Sequence, residues 1–123
     1  MPDQWEHLRR LAEREVERTL ASLPRALRER AQQLPVTLEP VPNAGLVEDG
    51  IAPDTLGIFT GAEHAEEEHI PLPPQIILFL ENLWDFAEGD EAIYREEVRT
   101  TYLHELGHYL GLDELDLEER GLD

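Results

Sequence analysis

Apolar residues recur at helical spacing near the start of the chain, where Trp5, Leu8, Leu11, Ala12, Val16 and Leu20 fall on one stripe. Asp3, with Glu6 three residues on, makes a capping-box-like start for this first predicted helix. Ser22 and Pro24 punctuate, and a second helical stretch carries Leu23, Leu27, Ala31 and Leu34 until Pro35 ends it. The period then changes. Val36 to Val41, Thr55 to Thr60 and Gln75 to Leu80 are short β-prone runs bounded by Pro, Gly, Asn and Asp, and they predict three strands of one small sheet. Glu63 to His69 is too polar to be buried and predicts an exposed loop, with His64 and His69 as a weaker candidate pair for a second metal. After Gly89-Asp90 a long helical pattern starts near Glu91 and runs through Ile93, Tyr94, Val98, Tyr102, Leu106 and Leu110. Asp90 is its expected N-cap and Gly111 its expected left-handed terminator. Helices, then strands, then a helix predict an α+β domain: N-terminal helices, a small sheet of about three or four short strands and a C-terminal helix.

The length of 123 residues fits one domain spanning 1–123, with one hydrophobic core. There is no cysteine, so any metal must be held by imidazole and carboxylate. The N-terminus lacks the apolar run of a signal peptide, and the longest nearly apolar stretch, Ile76 to Leu80, is far too short to span a bilayer. A cytoplasmic protein without membrane contact is expected. The net charge is −18, and it is unevenly placed: residues 1–34 hold seven arginines against six acids, while residues 35–123 hold three arginines against 22 acids. Phosphate backbones would repel so acidic a body, so no nucleic acid partner is expected; basic peptide segments and cations would be attracted.

The candidate chemistry lies on the last predicted helix, in His104-Glu105-Leu106-Gly107-His108. Residues four apart on a helix differ by about 40° in direction and roughly 6 Å in rise, so both imidazoles can reach one ion. Glu105 projects about 100° round from His104 and about 60° round from His108, to the same side of both. It can sit beside the metal without ligating it and act as the general base on a metal-activated water. In a chain of this composition the five-residue motif is expected by chance only roughly 0.03 times, which makes it specific. If the helix ends at Gly111, three further residues reach roughly 10 Å and can bring a side chain back over the helix end. Glu114 is then the natural third ligand, with Asp113 as its substitute. Two histidines and one carboxylate would leave a fourth position for water, as a catalytic zinc site requires.

The run His104-Glu105-x-x-His108-x-x-Gly111-x-x-Glu114 resembles the extended motif of metzincin-type zincins, H-E-x-x-H-x-x-G-x-x-H/D. More closely, the segment from Gln75 onward resembles the small bacterial "minimal zincin" family of predicted metallopeptidases. Those pair an Ile-Ile-Leu strand with an L-H-E-[LIV]-[GA]-H-[HY]-[FL]-G-[LI]-[SD]-[DE]-[DE]-x-[LI] helix, matched here by Leu103 to Leu117 except at Leu115. The resemblance implies a zincin-like fold, zinc on His104 and His108, Glu105 as general base and the acid at 114 as third ligand. The chain departs from the pattern in reading Asp113-Glu114 where the family more often ends on Asp. It also has no methionine after Met1, so the Met-turn of true metzincins is absent.

The leading expectation is therefore zinc-dependent peptide-bond hydrolysis, with an extended peptide or protein substrate pairing along the edge of Thr55 to Thr60 or Gln75 to Leu80. Tyr102, Tyr109, His64 and His69 are the candidates for stabilising the oxyanion. The alternatives are a non-proteolytic metal-binding scaffold that keeps the zincin helix, and an acidic adaptor for a basic partner that needs no metal.

Overall fold

The computed structural model describes residues 4–60 and 74–111. Asp3, the 63–69 loop with His64 and His69, and the acids Asp113 and Glu114 lie outside the described residues. Among the described residues five helices and three strands follow one another as α1 (Gln4–Ser22), α2 (Arg25–Ala31), β1 (Val36–Glu39), α3 (Ala44–Glu48), β2 (Gly57–Thr60), β3 (Gln75–Phe79), α4 (Leu80–Phe86) and α5 (Glu91–Leu110). This is the expected α+β architecture with a mixed sheet and a C-terminal helix.

The sheet has the order β1-β3-β2. β1 runs parallel to β3, with Val36 opposite Ile76 and Leu38 opposite Leu78, and β2 runs antiparallel to it, with Ile58 opposite Ile77 and Phe59 opposite Ile76. The central strand is therefore the most apolar one: Ile76, Leu78 and Phe79 are fully buried. Since β3 is central, Gln75 to Leu80 cannot offer the free edge considered above; among the described residues the free edges belong to β1 and β2.

Two strand boundaries are shorter than the sequence pattern. β1 stops at Glu39 because Pro40 follows and has no N–H for a ladder. Leu80, expected to end the third strand, instead begins α4. The reason is a change of partner: with β1 finished, the Pro40 carbonyl accepts the Glu81 N–H at 3.1 Å and so caps the first turn of a helix. Asn82 on α4 then donates to the carbonyls of Pro53 and Thr55 at 2.8 and 2.9 Å, pinning the segment that leads into β2. Thr55 lies in that turn rather than in the strand, its N–H bonded to Ala52 O. The short helix α3 was not anticipated either. Asn43 starts it, accepting the Leu46 N–H at 2.9 Å.

One hydrophobic core joins α1, α2, the sheet, α4 and α5. α1 buries Leu8, Leu11, Ala12 and Val16 as its stripe predicts, with Trp5 and Leu20 partly buried beside them. Thr19 extends the stripe because its hydroxyl is satisfied by the Glu15 carbonyl at 2.7 Å. α2 ends at Ala31, three residues early, in a tightened turn, yet Leu34 still reaches the core. α5 packs against α1, β2, β3, α4 and α2. It buries Tyr94, Val98, Thr101, Tyr102, Leu103, Leu106, Gly107 and Leu110, about two-thirds of its circumference. Ile93, counted with the apolar pattern above, is instead 45% exposed. It stands eleven residues before His104, three turns and about 20°, and so lies on the single strip that α5 leaves open.

Two buried tyrosines on α5 meet opposite fates. Tyr94 donates to the Leu8 carbonyl at 2.9 Å and ties α5 to α1, and its ring meets Trp84 edge-on at 5.5 Å. The Tyr102 hydroxyl has no hydrogen-bond partner among the described residues, and burial pushes its pKa up to about 12. An unmet buried hydroxyl costs about 1–3 kcal/mol, whereas a made hydrogen bond contributes about 0.5–1.5 kcal/mol. Tyr94→Phe is therefore expected to lower stability by about 1 kcal/mol, and Tyr102→Phe to leave it unchanged or raise it. Urea unfolding of both variants at neutral pH checks this contrast. A loss in Tyr102→Phe as large as in Tyr94→Phe would contradict it.

Candidate metal centre

The local sequence holds the last helix at both ends. Asp90 accepts the Ile93 N–H at 3.0 Å as N-cap. Gly111 closes the helix in the left-handed region with φ 72°, and its N–H reaches back to the last-turn carbonyls of Gly107 and His108. That conformation is inexpensive only without a Cβ, so the chain turns here because residue 111 is glycine. Both expectations for this helix thus hold.

His104 and His108 stand one turn apart on the open strip and are exposed, with ring centroids 5.0 Å apart and planes crossing at 86°. Glu105, half-buried, lies on the flank turned towards β2. One ligand atom from each of the three side chains lies within 4.8 Å of the others. Among the described residues no other set of three such side chains converges this way. The two imidazoles are nitrogen donors suited to zinc, and the Glu105 carboxylate stands beside them. The set also sits in the last two turns of α5, where the partial negative charge of the helix C-terminus favours a cation. The residues therefore fit the metal that the motif implies.

The surroundings of Glu105 were not foreseen. β2 crosses α5 so closely that a Cβ on Gly57 would stand 2.7 Å from the Thr101 γ-methyl carbon and 3.1 Å from Leu78 Cδ2. Thr101, Glu105 and Tyr109 are four residues apart in succession and share the row beneath β2. Phe59 sits farther along the same row: its backbone acts on the Glu105 carboxylate in the sense that lowers its pKa, and its ring lies 5.9 Å from the ring of Tyr109. Burial raises the Glu105 pKa above the ordinary carboxylate value. His108, His104 and the Phe59 backbone act in the opposite sense. A glycine inside a strand run is the sequence signal that could have pointed to this close approach.

The structure thus brings together His104, Glu105 and His108. It sends Tyr102 into the core on the far side of the helix, which removes it from the oxyanion candidates, and leaves Tyr109 half-buried against Phe59. A groove of about 400 Å³ between α1 and β1, lined by Arg9, Glu13, Val16, Glu17, Val36 and Leu38, shares no residue with this centre.

Comparison with known proteins agrees with the centre. The sequence model of the zincin-like metallopeptidases matches residues 31–122, from the last residue of α2 through α5 and beyond, and the chain belongs to that family. No curated protein matches it. Among the described residues no helix is long and apolar enough to cross a membrane.

Purified without chelator, the protein is expected to carry about one zinc per chain, and His104→Ala or His108→Ala to abolish it. Glu114→Ala should weaken zinc binding far more than Asp113→Ala, whose loss should stay within the roughly 10–100-fold of a residue that only supports a ligand. Metal analysis and competition with a chromogenic chelator measure both. Equal zinc in the histidine variants and the parent would dismiss the centre, and the reverse order of the two acids would exchange their roles.

Proposed function

We propose that this protein hydrolyses peptide bonds with zinc held by His104, His108 and Glu114, and with Glu105 as general base. The observation that carries this reading is the placement of Glu105. A site that merely holds metal has no need of a carboxylate beside the two imidazoles, half-buried and steadied from β2. When bound there, zinc supplies a Lewis acid that polarises the scissile carbonyl and lowers the pKa of water towards about 7. Glu105 takes the proton from the attacking water and passes it to the leaving amine. Exposure of the two histidines leaves the reacting carbonyl room to approach from solvent.

The substrate is an extended peptide or a protein segment, and the edge of β2 is the place for it to pair. β1, the other free edge, is bracketed by Pro35 and Pro40, which blunt it against added strands. β2 carries no proline and lies directly on the helix that bears Glu105. The 22 acids of residues 35–123 favour substrates with basic residues near the cleaved bond.

Glu105→Gln is expected to keep its zinc and lose hydrolysis by at least roughly 100-fold, since an amide cannot accept the proton. A digest of a broad peptide library, with chelator controls, reads the effect. Cleavage by the Gln variant at the parental rate would remove Glu105 from the mechanism. A zinc-loaded parent that cleaves nothing would favour the non-proteolytic metal-binding scaffold.

A further inference from the structure

The direction of the Phe59 amide follows from the hydrogen bonds of the central strand. Ile76 N–H donates to Pro35 O, so it faces β1, and Phe79 N–H donates to Leu56 O, so it faces β2. Alternation along β3 then turns Ile77 towards β2, where Ile58 is its partner. Phe59, one residue further, points its N–H away from the sheet. Among the described residues an amide at that edge has nothing in the ladder to bond, and the Phe59 backbone acts instead on Glu105 of α5. The register between strand and helix keeps it there. Two strand residues advance about 6.6 Å and four helix residues about 6 Å, so Gly57 to Phe59 runs in step with Thr101 to Glu105. Gly57 sets that register, because any side chain there would meet Thr101 and Leu78.

We propose that the Phe59 backbone N–H orients the Glu105 carboxylate for catalysis, and that Gly57 is the positioning residue that lets β2 lie close enough to do so. This role rests on the hydrolysis reading above, but the contact itself does not. One oxygen held from β2 would leave the other for the side of His104 and His108, whose ring nitrogens lie within 4.8 Å of a Glu105 carboxylate oxygen. The Phe59 ring against Tyr109 steadies the same stretch of strand from the next turn of the helix. The edge amide thus serves the base in the free protein.

Two measurements separate the contact from its consequence. Hydrogen exchange of the Phe59 amide, followed by NMR in the metal-free protein, should be at least tenfold faster in Glu105→Ala than in the parent, while Glu105→Gln, which keeps an acceptor oxygen, should stay near the parental rate. An unchanged rate in Glu105→Ala overturns the proposal whatever the protein cleaves. For the catalytic role, Phe59→Pro removes the outward N–H at an edge position that tolerates proline, and Phe59→Ala removes only the ring. The proline variant should keep its zinc and its KM and show kcat roughly 10–100-fold below the alanine variant. Equal kcat in the two variants overturns the orienting role and leaves the peptidase reading standing. A parent that cleaves nothing removes both, and the exchange rates then report the contact alone.

Discussion

Helix α5 is gripped on most sides, by α1, α2, α4 and the sheet, and the rest of the molecule is arranged around the one strip it leaves open. A helix so enclosed cannot rotate or slide, because each buried side chain from Tyr94 to Leu110 has its own neighbours in a close-packed interior. The two imidazoles inherit that fixity from the backbone beneath them. Their exposure and their immobility are compatible only because the burial is on the opposite faces. One close contact is with β2, where the missing side chain of Gly57 brings sheet and helix together beside Glu105.

Much of this was legible in the residues, for reasons that differ from element to element. The stripe of α1 and the ends of α5 were readable because they depend on local facts: period, an aspartate cap, a glycine stop. The pair His104 and His108 with Glu105 was readable because helix geometry alone places them. α4 was missed although Leu80, Leu83, Trp84 and Ala87 have helical spacing. Its first turn continues an apolar strand, and the switch is made by the Pro40 carbonyl, 41 residues before the Glu81 N–H that it accepts. The setting of Glu105 was not readable at all, since it arises from a strand whose register on the helix is a tertiary matter. Gly57 held a hint of it, but a strand glycine has several causes.

The two free edges of the sheet illustrate a division of labour. Both β1 and β2 expose unpaired backbone groups, and four-residue strands expose few of them. Prolines guard one edge. The other is spent on the helix and its carboxylate, so the edge that faces the chemistry is partly satisfied from within the protein. Any peptide that pairs there must therefore use the groups that remain, which constrains how it approaches.

The bond from Tyr94 to Leu8 crosses 86 residues of chain, and it has a consequence for how the protein comes into being. α1 leaves the ribosome first, with an apolar stripe whose cover is α5. At about 5–20 residues per second, that cover follows of the order of ten seconds later. During the interval Leu8, Leu11 and Val16 have no lasting shelter, and the arginines and glutamates between them carry the whole task of keeping the nascent segment in solution. The charge on α1 thus keeps its stripe solvated until the fold closes, and it closes only when the residues that bear the chemistry arrive.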